Sequence, residues 1–107
     1  MAKLYLPTKD DTLNSTVRTP VTGVATVTAT AAEIFAGGSR LAGRRKMILK
    51  NESKDLRVRI GSASLTQQNG FPLEPGAVFE IEFDPETDVP IYAISEGNEA
   101  SVAVMEY

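Results

Sequence analysis

The chain has 107 residues, a mass of 11.5 kDa and a formal net charge of −3 at pH 7, which favours one domain with a single modest core. It contains neither cysteine nor histidine, so disulfides, thiolate metal sites, cysteine nucleophiles and the commonest general base are excluded. Their absence argues against hydrolase triads and most transition-metal chemistry. We therefore expect no enzyme activity, no catalytic residue, no metal and no cofactor.

Residues 1–20 are predicted to be an extended N-terminal arm. A short apolar stub, Leu4, Tyr5 and Leu6, is followed by Pro7 and by several residues that favour turns. Two interpretations stay open, a frayed terminus or an arm that becomes ordered against a neighbouring subunit through this stub. The segment lacks the apolar core of a signal peptide, and no window of the chain is apolar enough to span a membrane.

The β pattern begins at Val21 and defines a domain over residues 21–107. The stretch "VTGVATVTAT" is rich in valine and threonine, whose branched side chains favour strands. "AAEIF" has the composition of one helical turn, which Gly37 and Gly38 would end. In "RRKMILKN", Met47 and Leu49 share one face of a predicted strand, and lysines occupy the other.

The second half of the domain alternates more regularly. "LRVRIG" places Leu56, Val58 and Ile60 inward, and the preceding "NESKD" has the length of a hairpin loop. "SASL" predicts a short strand, and "NG" and "PG" predict turns, the second of type II. "VFEIEF" points its aromatic and isoleucine side chains inward, and "IYAI" and "SVAVMEY" complete the set. Roughly seven or eight short strands separated by turns predict an all-β fold, a single compact antiparallel β-sandwich or a barrel.

Charge is distributed unevenly along the chain. Eight of the eleven Lys and Arg residues lie between Arg40 and Arg59, and no basic residue follows Arg59. One interpretation is cross-strand pairing, for example of Arg57 and Arg59 with Glu80 and Glu82. The other places basic and acidic strands at different edges, which would give the domain a basic side able to dock on an acidic surface. The docking candidates are Arg40, Arg44, Arg45, Lys46, Arg57 and Arg59.

Nucleic acid and metal binding are weaker hypotheses. The sequence pI is about 4.9, and the segment from Arg40 to Arg59 contains no aromatic residue to stack on a base, so we expect no nucleic-acid partner. "DPETD" spaces Asp84, Glu86 and Asp88 like the first ligands of a calcium loop, but Val89 stands where that loop needs glycine. A solvated turn is the preferred interpretation.

Five landmarks follow one another in residues 40–107: "RRKMILKN", "LRVRIGSASLT", "NGFPLEPG", "IYAI" and "SVAVMEY". Their order resembles that of small virion proteins of tailed bacteriophages. The resemblance implies a non-enzymatic auxiliary capsid protein, of the decoration, cement or head-fibre-base kind, with a jelly-roll-like β-sandwich. It also implies that many copies attach to the outside of the virion head. The implied partners are the major capsid protein and further copies of this chain, as a dimer or trimer.

Two alternatives remain open beside this one. A tail, head–tail connection or fibre-adaptor component would share the fold and the composition. A carbohydrate-binding β-sandwich would need aromatic platforms, and the sequence offers no tryptophan and only Tyr5, Tyr92 and Tyr107 as tyrosines. The expected location is the outer capsid surface of a virion, after synthesis in the host cytoplasm.

Overall fold

The computed structural model describes residues 19–107, and these residues form strands and turns without any helix. The strands are β1 (Val21–Val27), β2 (Ala32–Glu33), β3 (Lys46–Asn51), β4 (Val58–Gly61), β5 (Phe71–Leu73), β6 (Val78–Glu82), β7 (Tyr92–Ser95) and β8 (Ala100–Glu106). The all-β prediction is confirmed for this part of the chain, which also holds no helix able to span a membrane. The predicted arm contacts, Leu4, Tyr5 and Leu6, lie outside the described residues.

The eight strands form two four-stranded antiparallel sheets. Sheet 1 has the order β1-β8-β3-β6, and sheet 2 has the order β2-β7-β4-β5. Strands from the two halves of the chain pair as mirror partners: β1 with β8, β2 with β7, β3 with β6 and β4 with β5. The pairings β3–β8 and β4–β7 then join these strand pairs into the two sheets. The first half of the chain is therefore laid against the second.

Both sheets contribute side chains to one hydrophobic core. Met47 and Leu49 of β3 are fully buried, as the alternation in "RRKMILKN" predicts. Val58 and Ile60 of β4 are also buried, and Leu56 packs against the core from just before that strand. Burying a side chain of this size contributes about 1.5–3 kcal/mol relative to leaving it exposed, so each of these inward positions stabilises the fold.

Two glycine turns form where the sequence predicts them. The N–H of Ala77 donates to the carbonyl of Glu74 at 2.9 Å, and Gly76 between them has a φ of 81°, which is the geometry of a type II turn. Gly70 has a φ of 90°, and the side chain of Asn69 accepts a hydrogen bond from the N–H of Thr66 at 2.7 Å. Both glycines occupy the left-handed region, which other residues adopt at a cost.

Three local predictions are wrong. "AAEIF" forms no helical turn, because Ala32 and Glu33 pair with β7. "SASL" forms a turn, and the strand that pairs with β4 is β5. "NESKD" is not a hairpin loop but a crossing from sheet 1 to sheet 2.

Asn51 explains this crossing. Its buried side chain donates to the carbonyls of Leu56 and Leu73 at 2.8 and 2.9 Å, and its Oδ1 accepts bonds from the N–H and the hydroxyl of Ser53. Because each of these bonds satisfies a group that folding removes from water, the amide fixes the chain as it leaves β3.

The segment after β2 passes close to the inner side of β1. A Cβ atom on Gly23 would lie 2.2 Å from the carbonyl oxygen of Ala36, which is too close for any residue other than glycine without a backbone shift. The N–H of Ala36 in turn donates to Oε1 of Glu106 at 3.0 Å. This approach ties the start of β1 to the end of β8.

Candidate interaction surface

Arg44, one of the docking candidates, lies inside the protein. It is 2% exposed, and its guanidinium pairs with the carboxylate of Glu106, which is fully buried. Nη2 of Arg44 also donates to the carbonyl of Val89, and the ring of Phe83 lies 4.3 Å from the centre of the guanidinium. These contacts engage both terminal nitrogens and one face of the guanidinium, whereas its Nε has no hydrogen-bond partner among the described residues. Because the side chain is buried, it is not accessible to a docking partner in this structure.

The arrangement joins four parts of the chain at one end of sheet 1. Arg44 precedes β3, Glu106 closes β8, Phe83 follows β6, and Val89 lies in the loop before β7. A buried ion pair is tolerated only where its remaining polar groups find partners, and here the N–H of Ala36 supplies one to the carboxylate. The sequence offers one signal for the burial of Glu106. Alternate residues of a strand share a face, so Glu106 lies on the same inward face as Val102 and Val104.

Arg40 is held by acidic residues of the same chain. Its Nε lies 2.8 Å from Oε2 of Glu33, and its Nη1 lies 3.5 Å from the carboxylate of Asp88 and 3.2 Å from the carbonyl of that residue. These contacts bridge β2 to the loop that precedes β7. The positive charge of Arg40 is thus largely balanced within the domain.

Arg57 and Arg59 are also paired internally. Nε of Arg59 lies 2.6 Å from Oε2 of Glu96, which Arg57 approaches at 3.5 Å, and Nε of Arg57 lies 3.0 Å from Glu74. The partners expected from the sequence, Glu80 and Glu82, lie on β6 in the other sheet. Cross-strand pairing is therefore correct as a principle for these arginines, but with other carboxylates.

Lys46 does pair with β6. Its Nζ lies 3.3 Å from Oε1 of Glu80, across the β3–β6 ladder. The hydrogen bond with Glu80 and then the charge of that carboxylate raise the pKa of Lys46 above its ordinary value of 10.5. Arg45 lies beside Lys46 in a surface depression that Glu82, Phe83 and Tyr107 also line.

The charge asymmetry of the sequence is consequently not an asymmetry of the folded domain. Mirror pairing brings the basic first half against the acidic second half, and β3 lies directly beside β6. Of the two interpretations of the charge pattern, the structure agrees with the adjacent strands. The docking candidates are spread over both sheets and are mostly engaged with carboxylates.

The acidic turn near Asp84 has the geometry of a solvated turn. The carboxylate of Asp84 accepts a hydrogen bond from the N–H of Glu86 at 3.0 Å, and its carbonyl accepts one from the N–H of Thr87 at 2.9 Å. Within residues 19–107, no group of three or more acidic side chains is placed to hold a metal ion.

The outer face of sheet 1 is a candidate interaction surface that sequence reasoning missed. We use this name for the side chains of sheet 1 that point away from the core: Thr22, Val24, Thr26, Lys46, Ile48, Lys50, Val78, Glu80, Glu82, Ser101, Ala103 and Met105. The strand register places Met105 between Thr22 and Ile48, and Ala103 between Val24 and Lys50. On the other side of Lys50, β6 places Val78 opposite it. Apolar side chains thus run from β1 across β8 to β3, and Lys50 separates them from Val78 on β6.

Exposure and shape support an interaction role for this face. Val24 is 66% exposed and Val78 is 58% exposed, and both belong to the few large apolar side chains that stand open to solvent in the described residues. Between the two, Ile48, Ala103 and Met105 line a shallow, mainly apolar depression with Lys50 at its border. A contiguous apolar surface with a polar rim is typical of protein contact sites. Ile48 alternating with Lys46 and Lys50 was the signal for it in the sequence.

Comparison of the chain with protein-family models, with curated proteins and with solved structures finds no match.

Proposed function

We propose that the protein is a non-enzymatic structural component of a tailed-bacteriophage virion, a capsid decoration or cement protein. In this role it binds the outer surface of the head and stabilises the junctions between major capsid subunits. The observation that carries the proposal is the outer face of sheet 1, a solvent-facing surface in which the half-buried Ile48, Ala103 and Met105 are flanked by Lys50 and by polar strand ends. The order of sequence landmarks in residues 40–107 points to the same class of protein.

We also propose that the two sheets form a β-sandwich of the jelly-roll type. Mirror pairing of β1 to β4 with β8 to β5 supports this, because a jelly roll is a long antiparallel hairpin wound into two four-stranded sheets. The shared core supports it further, since side chains from both sheets meet in one cluster. Jelly rolls occur in viral capsid domains and in lectins, so the fold agrees with the proposal without selecting it.

The outer face is a better docking surface than the basic residues. Arg44 is buried, and Arg40, Arg57 and Arg59 are bound to carboxylates of the same chain. A partner that used these arginines would have to replace existing ion pairs. The apolar side chains of the outer face have no such internal competitor, and removing them from water contributes directly to binding.

Repetition over the particle would make weak contacts sufficient. A capsid offers many equivalent sites, and linked copies bind with an effective concentration that raises the overall affinity by about 10²–10⁴-fold without any new contact. The proposed partners are therefore the major capsid protein and further copies of this chain, as a dimer or trimer. No nucleic acid, membrane or cofactor is part of the proposed role.

The copy number on purified particles tests the role. Quantitative mass spectrometry of virions should give a molar ratio to the major capsid protein near one, or a simple fraction such as a third. A handful of copies per particle would move the protein to the tail, the head–tail connection or a fibre adaptor. Its absence from particles would contradict the proposal, and a glycan-array screen would then test the carbohydrate-binding alternative.

Rebinding to stripped heads tests the surface. Ile48→Lys changes the centre of the outer face, and Val89→Lys makes the same chemical change at an exposed apolar side chain in the loop before β7. We expect I48K to weaken binding by about tenfold or more, because loss of a hot-spot side chain near the centre of an interface costs about 2 kcal/mol or more, and about 1.4 kcal/mol corresponds to tenfold. V89K should bind like the unmodified protein. Equal binding by all three would exclude the outer face as the contact.

A further inference from the structure

We propose that the open edge of β1 is a homodimer interface, in which β1 pairs antiparallel with β1 of a second copy about a two-fold axis at Val24. Sheet 1 of each copy would then join with the other into one eight-stranded sheet. This inference specifies the homo-oligomer contained in the proposed function, but it rests on the geometry of β1 alone. Its test uses no capsid, so the dimer and the virion role can fail separately.

β1 differs from the other edge strands in residues 19–107 because it carries no protection against pairing. The edges are β1 and β6 in sheet 1, and β2 and β5 in sheet 2. β2 has only two residues, β5 contains Pro72, and β6 carries Glu80 and Glu82. Short length, proline and charge are the devices by which sheet edges avoid further strands. β1 has seven residues, none of them charged and none of them proline.

The backbone groups of β1 that face the open edge can be assigned from the ladder of sheet 1. Lys46 and Tyr107 exchange both backbone hydrogen bonds, at 2.8 and 3.0 Å, so the odd-numbered residues of β8 direct their N–H and C=O groups at β3. The even-numbered residues of β8 therefore bond to β1, where the register gives them Val21, Gly23, Ala25 and Val27 as partners. The N–H and C=O groups of Thr22, Val24 and Thr26 consequently point away from β8.

These three residues are symmetric about Val24, and the strand sequence is symmetric as well. "VTGVATV" reads nearly the same in both directions, with glycine in one half at the place of alanine in the other. Antiparallel pairing centred on Val24 would put Val21 opposite Val27, Thr22 opposite Thr26 and Val24 opposite itself in the second copy. The open groups would then form about six hydrogen bonds, two for each facing pair.

The side chains fit the same register. Val24 is 66% exposed and points to the outer face, as do Thr22 and Thr26. Facing Val–Val and Thr–Thr pairs are favourable across antiparallel strands. An interface of this kind is isologous, since the same residues contact each other in both directions, and closed two-fold dimers are the commonest oligomers. The apolar rows of the two outer faces would become continuous across the axis.

Introducing a charge at the axis tests the inference in solution. Sedimentation equilibrium of the full chain should show a dimer. V24K and V24E should each weaken dimerisation by at least about tenfold, because two like charges would face each other across the axis. An equimolar mixture of V24K and V24E should recover the dimer, since opposite charges then meet. V78K is the matched control: its valine is 58% exposed on β6, the opposite edge of the same sheet, and its dimer should resemble the unmodified one.

Each contrary result overturns the inference. A full chain that stays monomeric at high concentration shows that β1 does not pair with a second copy, for example because another part of the chain covers the edge. An oligomer that persists in both V24K and V24E is assembled elsewhere. Failure of the mixture to recover the dimer refutes the two-fold register at Val24, and equal weakening by V78K places the contact outside β1. Circular dichroism of each variant confirms that the fold is retained.

Discussion

The buried pair of Arg44 and Glu106 allows a quantitative prediction about stability. Arg44→Met leaves the Glu106 carboxylate buried with the N–H of Ala36 as its remaining described donor, and it also removes the bond to the carbonyl of Val89 and the contact with Phe83. A hydrogen bond between charged groups contributes about 1.5–3 kcal/mol, and the abandoned charge adds a desolvation cost. Breaking a buried pair from one side is thus expected to cost about 3–5 kcal/mol. That is a large part of the about 5–15 kcal/mol by which domains are stable.

A double-mutant cycle separates the pair from its surroundings. Glu106→Gln leaves a buried guanidinium without its counter-charge, so it should cost a similar amount, whereas R44M combined with E106Q should cost much less than the sum of the two. Urea unfolding followed by circular dichroism gives each free energy of unfolding. Because small domains lose about 1–3 kcal/mol per molar urea, each single variant should lower the midpoint by more than about 1 M.

A surface pair provides the control for this cycle. Arg57 and Glu74 lie 3.0 Å apart with side chains that are 41% and 61% exposed, so Arg57→Met should cost less than about 1 kcal/mol. Additive costs in the Arg44–Glu106 cycle, or single variants no worse than R57M, would refute the conclusion that this pair is a structural element of the domain.

Two further predictions concern β1 and β3. Gly23→Ala should destabilise the domain by about 1–3 kcal/mol, because its Cβ would lie 2.2 Å from the Ala36 carbonyl oxygen; Gly38→Ala, with nothing within 4 Å of the added atom, should be nearly neutral in the same urea titration. The pKa of Lys46, followed by NMR, should lie above 10.5 and fall towards that value in Glu80→Gln, since Glu80 is the main cause of the shift. Because folding raises the pKa of this cation, the contact stabilises the fold below pH 10.5. This stabilisation is lost as the pH rises through the folded-state pKa. A Lys46 pKa that E80Q leaves unchanged would contradict the assigned pairing.

Local patterns were sufficient to predict the two glycine turns and six of the eight strands, all except β2 and β5. Alternation identified Met47, Leu49, Val58 and Ile60 as core residues because each strand has one face in the core, and this depends on neighbours in sequence alone. Gly76 was predictable for the same kind of reason, since a type II turn needs a positive φ at that position.

Strand partners were not predictable from the same patterns. The five residues of "NESKD" have the length of a hairpin loop, but Asn51 binds Leu56 and Leu73 and so directs the chain into the other sheet. The side chain of a buried asparagine carries no periodic signal. Which strand adjoins which is decided by contacts between distant parts of the chain, and no local pattern encodes these contacts.

Proximity in sequence was a poor guide to a shared surface, for a related reason. Basic residues were grouped because they are close in sequence, whereas the fold disperses them: Arg44 enters the interior, and Lys46 and Arg59 lie in different sheets. The outer face instead collects Ile48 and Met105 from strands far apart in the chain. No sequence window contains both, so the patch becomes visible only once the register is known.

Mirror pairing also has a consequence for how the protein is made. β8 lies between β1 and β3, so sheet 1 cannot form as a continuous sheet until β8 has been synthesised. A nascent chain that already exposes β1 and β3 must wait for residues 100–106, whereas β4 and β5, about ten residues apart, can pair early. Folding would then proceed from this inner hairpin outwards and end by closing β1 onto β8. During the wait the uncharged β1 strand is open on both sides, and premature association of neighbouring nascent chains is the hazard that its composition creates.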